Sequence, residues 1–198
     1  AKQKSYIYIM GHEVKITVIT PSVRPEFLEI VDKCLKRQTF KDFEWLVVGP
    51  DSVNGWGCFI KEPPKREGDY YALNKAYNKA FSKAKGELLI SYQDGIWITP
   101  DTLEKFWVHF RENPISCVGA IGHQYDKVEN GKPEGLVWSD PRARTDQGSF
   151  YEIKPIDLEF TLCSVPKEAV FKVGGLDEKF DKYAALSEKE LCMRMDWV

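Results

Sequence analysis

No uninterrupted apolar run in the 198 residues approaches the ~20 that a membrane span needs, and the polar start AKQKS does not read as a signal peptide. Net charge is nearly absent: 28 Lys+Arg stand against 30 Asp+Glu for a balance of -2, which provides no basic field for nucleic acid. His12, His109 and His123 are the only histidines, and they lack metal-ligand spacing. The cysteines Cys34, Cys58, Cys117, Cys163 and Cys192 are odd in number and contain no C-x-x-C. Neither a disulfide frame nor a zinc site is expected from them, and reduced, mostly buried thiols of a cytoplasmic protein are. Three motifs are missing as well. Without G-x-G-x-x-G after the first strand a dinucleotide dehydrogenase is disfavoured. The lack of G-x-x-x-x-G-K-[ST] disfavours a P-loop enzyme, and the lack of G-x-S-x-G an α/β-hydrolase.

What is present is an alternation of strands and helices. A 43% hydrophobic and 13% aromatic content supports one domain over residues 1–198. Val14, Ile16, Val18 and Ile19 predict a first strand, Pro25 and Glu26 open a helix, and Phe43 to Val48 predict a second strand. This strand-helix-strand order implies a right-handed crossover between parallel strands. Residues 53–70 read as a loop. A helix follows with Leu73, Ala76, Tyr77, Ala80, Phe81 and Ala84 on one face, Lys75, Lys79 and Lys83 on a solvated opposite face, and Gly86 as C-cap. Leu88 to Tyr92 read as a strand buried on both faces, and Thr99 and Pro100 as N-cap and first residue of a helix to 112. Ile115 to Gly122 read as a further buried strand, 123–155 as a long loop, and Ile156, Leu158, Phe160 and Leu162 as a half-exposed strand at an edge or paired antiparallel. A short helix over 166–171, a Gly174-Gly175 turn and a helix over 186–195 complete the series. MRMDWV ends without a C-cap, so a C-terminal continuation is expected. The fold class predicted is an open, mostly parallel, Rossmann-like α/β sheet flanked by helices, with a small antiparallel portion toward the C-terminal half.

Asp94 stands where the buried strand stops, in Gln93-Asp94-Gly95. Ligands of open α/β sheets bind outside the carboxyl ends of strands, where loops diverge and leave a crevice. Position and chemistry make Asp94 the first candidate site residue.

The order of segments resembles the family 2 glycosyltransferases of the GT-A fold. ITVITPSVRPEFLEIVDKCLKRQTFKDFEWLVVGPDS is similar to the family's opening, in which a strand ends in P-[ST]-Y-N-R-P and a second closes on Asp-Asp-Gly-Ser. Asn78, AKGELLISYQDG, VGGLDEKF and SEKELCMRM continue the likeness through the asparagine, the Asp-x-Asp strand, V-G-G-F-D-E-x-F and the Glu-Asp helix start. Several positions depart from it. Val23 replaces the tyrosine, the asparagine is deleted, Gly49 and Pro50 replace the two aspartates, and Gln93-Asp94-Gly95 keeps one carboxylate of Asp-x-Asp.

The resemblance implies a nucleotide-binding half over about 13–100 and an acceptor-side half over about 101–198. It implies that Pro21, Ser22, Val23, Arg24, Asp51 and Gln93 contact the nucleotide, Asp51 one residue later than in the family. It further implies Mn2+ or Mg2+ on Asp94, and Glu188 as the general base, with Glu190 in reserve, of an inverting transfer. The donor would be a nucleotide-diphosphate sugar, a UDP-sugar first among them, and the acceptor a saccharide or other hydroxyl; the oligomeric state stays open. Lys65 and Arg66 are candidate phosphate clamps, and Trp138 a candidate stacking platform. Two alternatives stand beside this reading. One is a GT-A-like nucleotide- or glycan-binding module that has lost catalysis. The other is a nucleotidyltransferase, which would want a glycine-bearing phosphate loop where TPSVRP has none.

Overall fold

The computed structural model describes residues 13–129, 131–143, 150–183 and 187–195. From the N-terminal side run β1 (Ile16–Pro21), α1 (Pro25–Lys36), β2 (Phe43–Gly49), β3 (Cys58–Lys61), α2 (Leu73–Lys83) and β4 (Leu88–Tyr92). There follow α3 (Thr102–Glu112), β5 (Val118–Gly119), β6 (His123–Glu129), β7 (Lys132–Ser139), β8 (Leu162–Pro166), α4 (Lys167–Lys172) and α5 (Ser187–Met195). Six strands form one sheet in the order β3-β2-β1-β4-β8-β5, parallel from β3 to β4 and antiparallel where β8 meets β4 and β5. The expected mixed α/β class is what forms.

Strand periodicity divides the core in two. Ile16, Val18, Trp45, Val47, Leu88 and Ile90 face α1 and α3, packing on Leu28, Val31, Leu103 and Phe106. Ile19, Leu46, Val48, Leu89 and Val165 face the other way, onto Tyr77, Ala80 and Phe81 of α2 and Leu191 of α5. With both faces covered, β1 and β4 contain hardly any exposed position, which explains their unbroken apolar runs. β1 lies between β2 and β4, which makes its carboxyl end the switch point of the strand order, the place where open α/β sheets bind ligands.

Several local expectations are corrected. Residues 58–61 are an edge strand paired in parallel with Leu46–Gly49; CFIK is too short to stand out from its polar surroundings. Lys75 is buried against Asp69 instead of sharing a solvated face with Lys79 and Lys83. Gly86 does not cap α2, whose C-cap is Ala84. It is glycine because a Cβ would lie 2.6 Å from backbone atoms of Ile16 and Thr17. Helix α3 starts at Thr102, after Asp101, and the segment that follows α1 ties down the residues before it. Gln38 Nε2 donates to Thr99 O (2.8 Å), Thr39 N donates to Pro100 O (2.8 Å), and Gln38 Oε1 accepts from Leu103 N (3.0 Å), one of the helix's unpaired first-turn groups.

The expected strand over 115–122 shrinks to Val118–Gly119, with Ile115 exposed. The expected loop over 123–155 contains the antiparallel hairpin β6–β7, fastened where the Trp97 indole (2.8 Å) and an Arg37 guanidinium N–H (3.1 Å) donate to Gly131 O. The expected half-exposed strand is displaced: 155–157 is a single 3-10 turn, and pairing begins only at Leu162, in a strand buried throughout. His12, Leu186 and the last three residues of the expected C-terminal segment lie outside the described residues.

Candidate active site

β1 and β4 deliver Ser22 and Asp94 to the same point, 72 positions apart in sequence. Ser22 Oγ donates to Asp94 Oδ2 at 2.5 Å and accepts from Arg24 N at 3.0 Å. Arg24 Nε donates to the same Oδ2 at 3.3 Å, while its Nη2 donates to Oδ1. The Asp94 side chain is 5% exposed and that of Arg24 54%, so the carboxylate is inside and the guanidinium outside. The Phe27 ring supports the guanidinium, 4.7 Å from its Cζ, in a cation-π contact. Phe27 also packs under Gly95, whose φ of +76° is a left-handed turn conformation that favours glycine over a second aspartate.

The remaining nucleotide-side expectations separate. Pro21 ends β1, and Val23 is exposed beside the ion pair. Asp51 lies in the 3-10 turn after β2, where its exposed carboxylate pairs with Lys61 Nζ at 2.8 Å and not with the Ser22–Arg24–Asp94 group. Lys65 Nζ donates to Tyr70 O (3.0 Å) and Arg66 pairs with Glu178 (2.5 Å). Trp138 is half-exposed on β7.

Gln93 and Glu188 line one cavity of about 200 Å³, walled by Tyr71, Tyr77, Phe160 and Phe180. Glu188 is in the first turn of α5, with Ser187 Oγ donating to its Oε2 at 3.3 Å. Glu190 belongs to another structure. It pairs with Arg194, whose Nη1 and Nη2 donate to Val173 O (2.5 Å) and Gly175 O (2.7 Å), so it braces the Gly174-Gly175 turn. Asn78 braces that turn from α2, donating to Leu176 O (2.8 Å) and accepting from Leu176 N (2.9 Å). The aromatic wall has no signature of a site in the sequence. Tyr77 and Phe160 carry the same apolar signal as core residues, and only the tertiary fold sets them around an acid.

Asp181 underlies this wall, accepting from the backbone N–H groups of Asn74 (2.8 Å) and Lys75 (3.4 Å), with its carboxyl pushed up by burial. Asn74 lines the cavity too, and its buried Oδ1 has no partner among the described residues. Burial pushes the Cys192 thiol up to about 12 and Cys163 well above its ordinary value, which favours the neutral thiol in both. His109 stacks on Phe150 at 4.4 Å, and His123 Nδ1 lies 3.0 Å from Ser139 Oγ.

The residues at Asp94 do not fit a resident divalent cation as they stand. Both carboxylate oxygens are engaged, and an ion there would sit against the Arg24 guanidinium. Among the described residues no group of three or more His, Cys, Asp or Glu side chains converges to hold a metal. No described helix is long and apolar enough to cross a membrane.

No family model matches the sequence, nor does any curated protein. Solved structures do match in fold. A mannosyltransferase, PcManGT from Pyrobaculum calidifontis, solved with GDP-Man and Mn2+, is similar over 93% of this chain and 52% of its own, at 13% identity and a TM-score of 0.60. S. aureus TarS 1-349 with UDP matches over 91% of this chain and 54% of its own, at 17% identity and a TM-score of 0.63. The same protein with UDP-GlcNAc gives 91%, 53%, 16% and 0.60. The chain spans about half the length of these structures. At such identities the likeness is one of fold: a mostly parallel sheet between helices, the GT-A arrangement of these glycosyltransferases.

Proposed function

We propose that the chain is the nucleotide-sugar domain of an inverting glycosyltransferase of the family 2 type. The observation that carries the reading is the meeting of Ser22, Arg24 and Asp94 at the carboxyl ends of β1 and β4, in a fold shared with enzymes solved with GDP-Man, UDP and UDP-GlcNAc. The nucleotide lies over the half formed by residues 13–100, with Pro21, Ser22, Val23 and Arg24 along its phosphates and Asp51 toward its base. Gln93 connects this half to the aromatic cavity, where the acceptor hydroxyl binds on the half formed by 101–198. An acceptor oxygen attacks the anomeric carbon from the face opposite the diphosphate. As the new C–O bond forms, the bond to the diphosphate oxygen breaks and its electron pair leaves with the nucleoside diphosphate. Glu188 takes the acceptor proton, and the sugar's configuration is inverted. The Mn2+ or Mg2+ that the resemblance implies on Asp94 enters no step here, because that carboxylate is already committed.

A second reading, a binding module that holds a nucleotide sugar without transferring the sugar, is favoured by the departures at Gly49, Pro50, Gln93, Gly95 and Ser187. Release of nucleoside diphosphate from a panel including GDP-Man and UDP-GlcNAc, with hydroxyl acceptors, separates the two. Transfer is expected from the wild type and its loss, with donor binding retained, from Glu188→Gln. Binding without transfer by the wild type selects the module, and wild-type rates in Glu188→Gln reassign the base.

A further inference from the structure

A diphosphate leaving group needs positive charge beside it, and enzymes supply that charge with either a metal ion or a basic side chain. We infer that the Arg24 guanidinium, fixed in place by Asp94, binds the donor diphosphate itself, in the position a divalent ion would otherwise take; this rests on the nucleotide-sugar reading above. Asp94 then acts as a positioning residue and not as a metal ligand.

Four observations converge on this assignment. First, the pair is oriented: a buried carboxylate holds an outward-facing cation at the carboxyl ends of the paired strands β1 and β4. Second, Nε and Nη2 are the groups spent on Asp94, and a guanidinium has five N–H donors in a planar fork, so three remain for a ligand's oxygens. Third, the guanidinium is held on two sides, by the carboxylate and by the Phe27 ring at 4.7 Å, so little side-chain freedom is lost when an anion binds. Fourth, among the described residues nothing at the strand ends would restore a metal site if Arg24 let go. The neighbours of Asp94 are Gln93 and Gly95, the end of β2 is Gly49-Pro50, and Asp51 is paired with Lys61. Ser22 strengthens the arrangement by donating to Asp94 Oδ2 and accepting from Arg24 N. The loop and the strand end are therefore one hydrogen-bonded unit whose exposed face is cationic.

Calorimetric titration of the whole chain with UDP, GDP, UDP-GlcNAc and GDP-Man, in EDTA and in excess Mn2+, tests the assignment. The expected result is binding of at least one nucleotide in EDTA, little changed by Mn2+. Arg24→Ala should weaken that binding by about tenfold or more, the scale of lost charge-assisted bonds. Arg24→Lys should restore only part of it, because an ammonium lacks the planar fork. Asp94→Asn should weaken binding in EDTA and gain no rescue from Mn2+. Arg24 is exposed and Asn is isosteric with Asp, and the wild-type comparison of EDTA with Mn2+ needs no variant at all. Binding that occurs only with Mn2+, is lost in Asp94→Asn and survives in Arg24→Ala would overturn the inference while sustaining the donor site. Absence of binding to every nucleotide under both conditions would overturn the donor reading and this inference with it.

Discussion

The backbone carbonyl of Ser22 occupies the space that a Cβ on Gly49 would need, and Val53 Cγ2 closes the other side at 2.8 Å. This crowding explains the largest departure from the glycosyltransferase pattern. An aspartate at position 49 does not fit when the loop after β1 folds down to bring Ser22 and Arg24 onto Asp94. Gly49→Ala is therefore expected to destabilise the chain by about 1–3 kcal/mol, the scale of overpacking. It should also push the loop away from Asp94, lowering nucleotide affinity. Thermal melts and nucleotide titrations of the variant check both; unchanged values in both would mean the loop yields without consequence.

Lys75 and Asp69 form an ion pair whose side chains are 5% and 2% exposed, at the start of the helix that walls the cavity. Removing one partner leaves the other charge without compensation. Lys75→Met and Asp69→Asn should each lower the melting temperature more than the double variant Lys75→Met/Asp69→Leu does. Acid dependence follows from the same pair. The hydrogen bond from Lys75, followed by that from Arg66 N, holds the Asp69 carboxyl below its ordinary 3.8. A lowered acid stabilises the fold fully above its unfolded value and ceases to do so as pH falls through the folded value. Urea midpoints of wild type and Asp69→Asn should accordingly differ at neutral pH and converge below about pH 4.

Asp51 offers a cleaner separation of stability from binding. Its bond to Lys61 is exposed on both sides, and such pairs contribute about 0–1 kcal/mol. Asp51→Ala should leave the melting temperature nearly unchanged. If Asp51 contacts the base, nucleotide affinity should fall in that variant; equal affinity would remove it from the site.

Much of this fold could be read from the sequence because burial on both faces leaves a plain mark. The apolar runs of β1, β2 and β4 and the helical spacing in α1, α2 and α3 predicted those elements to within a few residues. Elements with little burial left no such mark. The β6–β7 hairpin is almost wholly exposed, so its side chains do not alternate between apolar and polar. The alternation from Ile156 to Leu162 misled for the opposite reason. Leu158 and Phe160 are buried from irregular backbone, while the strand beginning at Leu162 is covered on both faces. The site divides in the same way. The strand end at Asp94 is legible from the apolar run before it, and Ser22 and Arg24 are named by the resemblance as nucleotide contacts; that they meet Asp94, 72 and 70 positions away, no spacing announces. Lys75 was misplaced for a related reason: helical spacing gives its direction from the axis, and not the Asp69 that closes over it.

The central claim, that this chain binds a nucleotide sugar, is tested most directly by thermal melting in the presence of UDP, GDP, UDP-GlcNAc and GDP-Man. A ligand that binds only the folded chain at a hundredfold excess over its Kd adds about 2.7 kcal/mol. For a chain of this size that corresponds to a rise of about 5–10 °C. The account predicts such a rise for at least one of the four and a reduced one in Arg24→Ala. A melting temperature that none of them moves would contradict it.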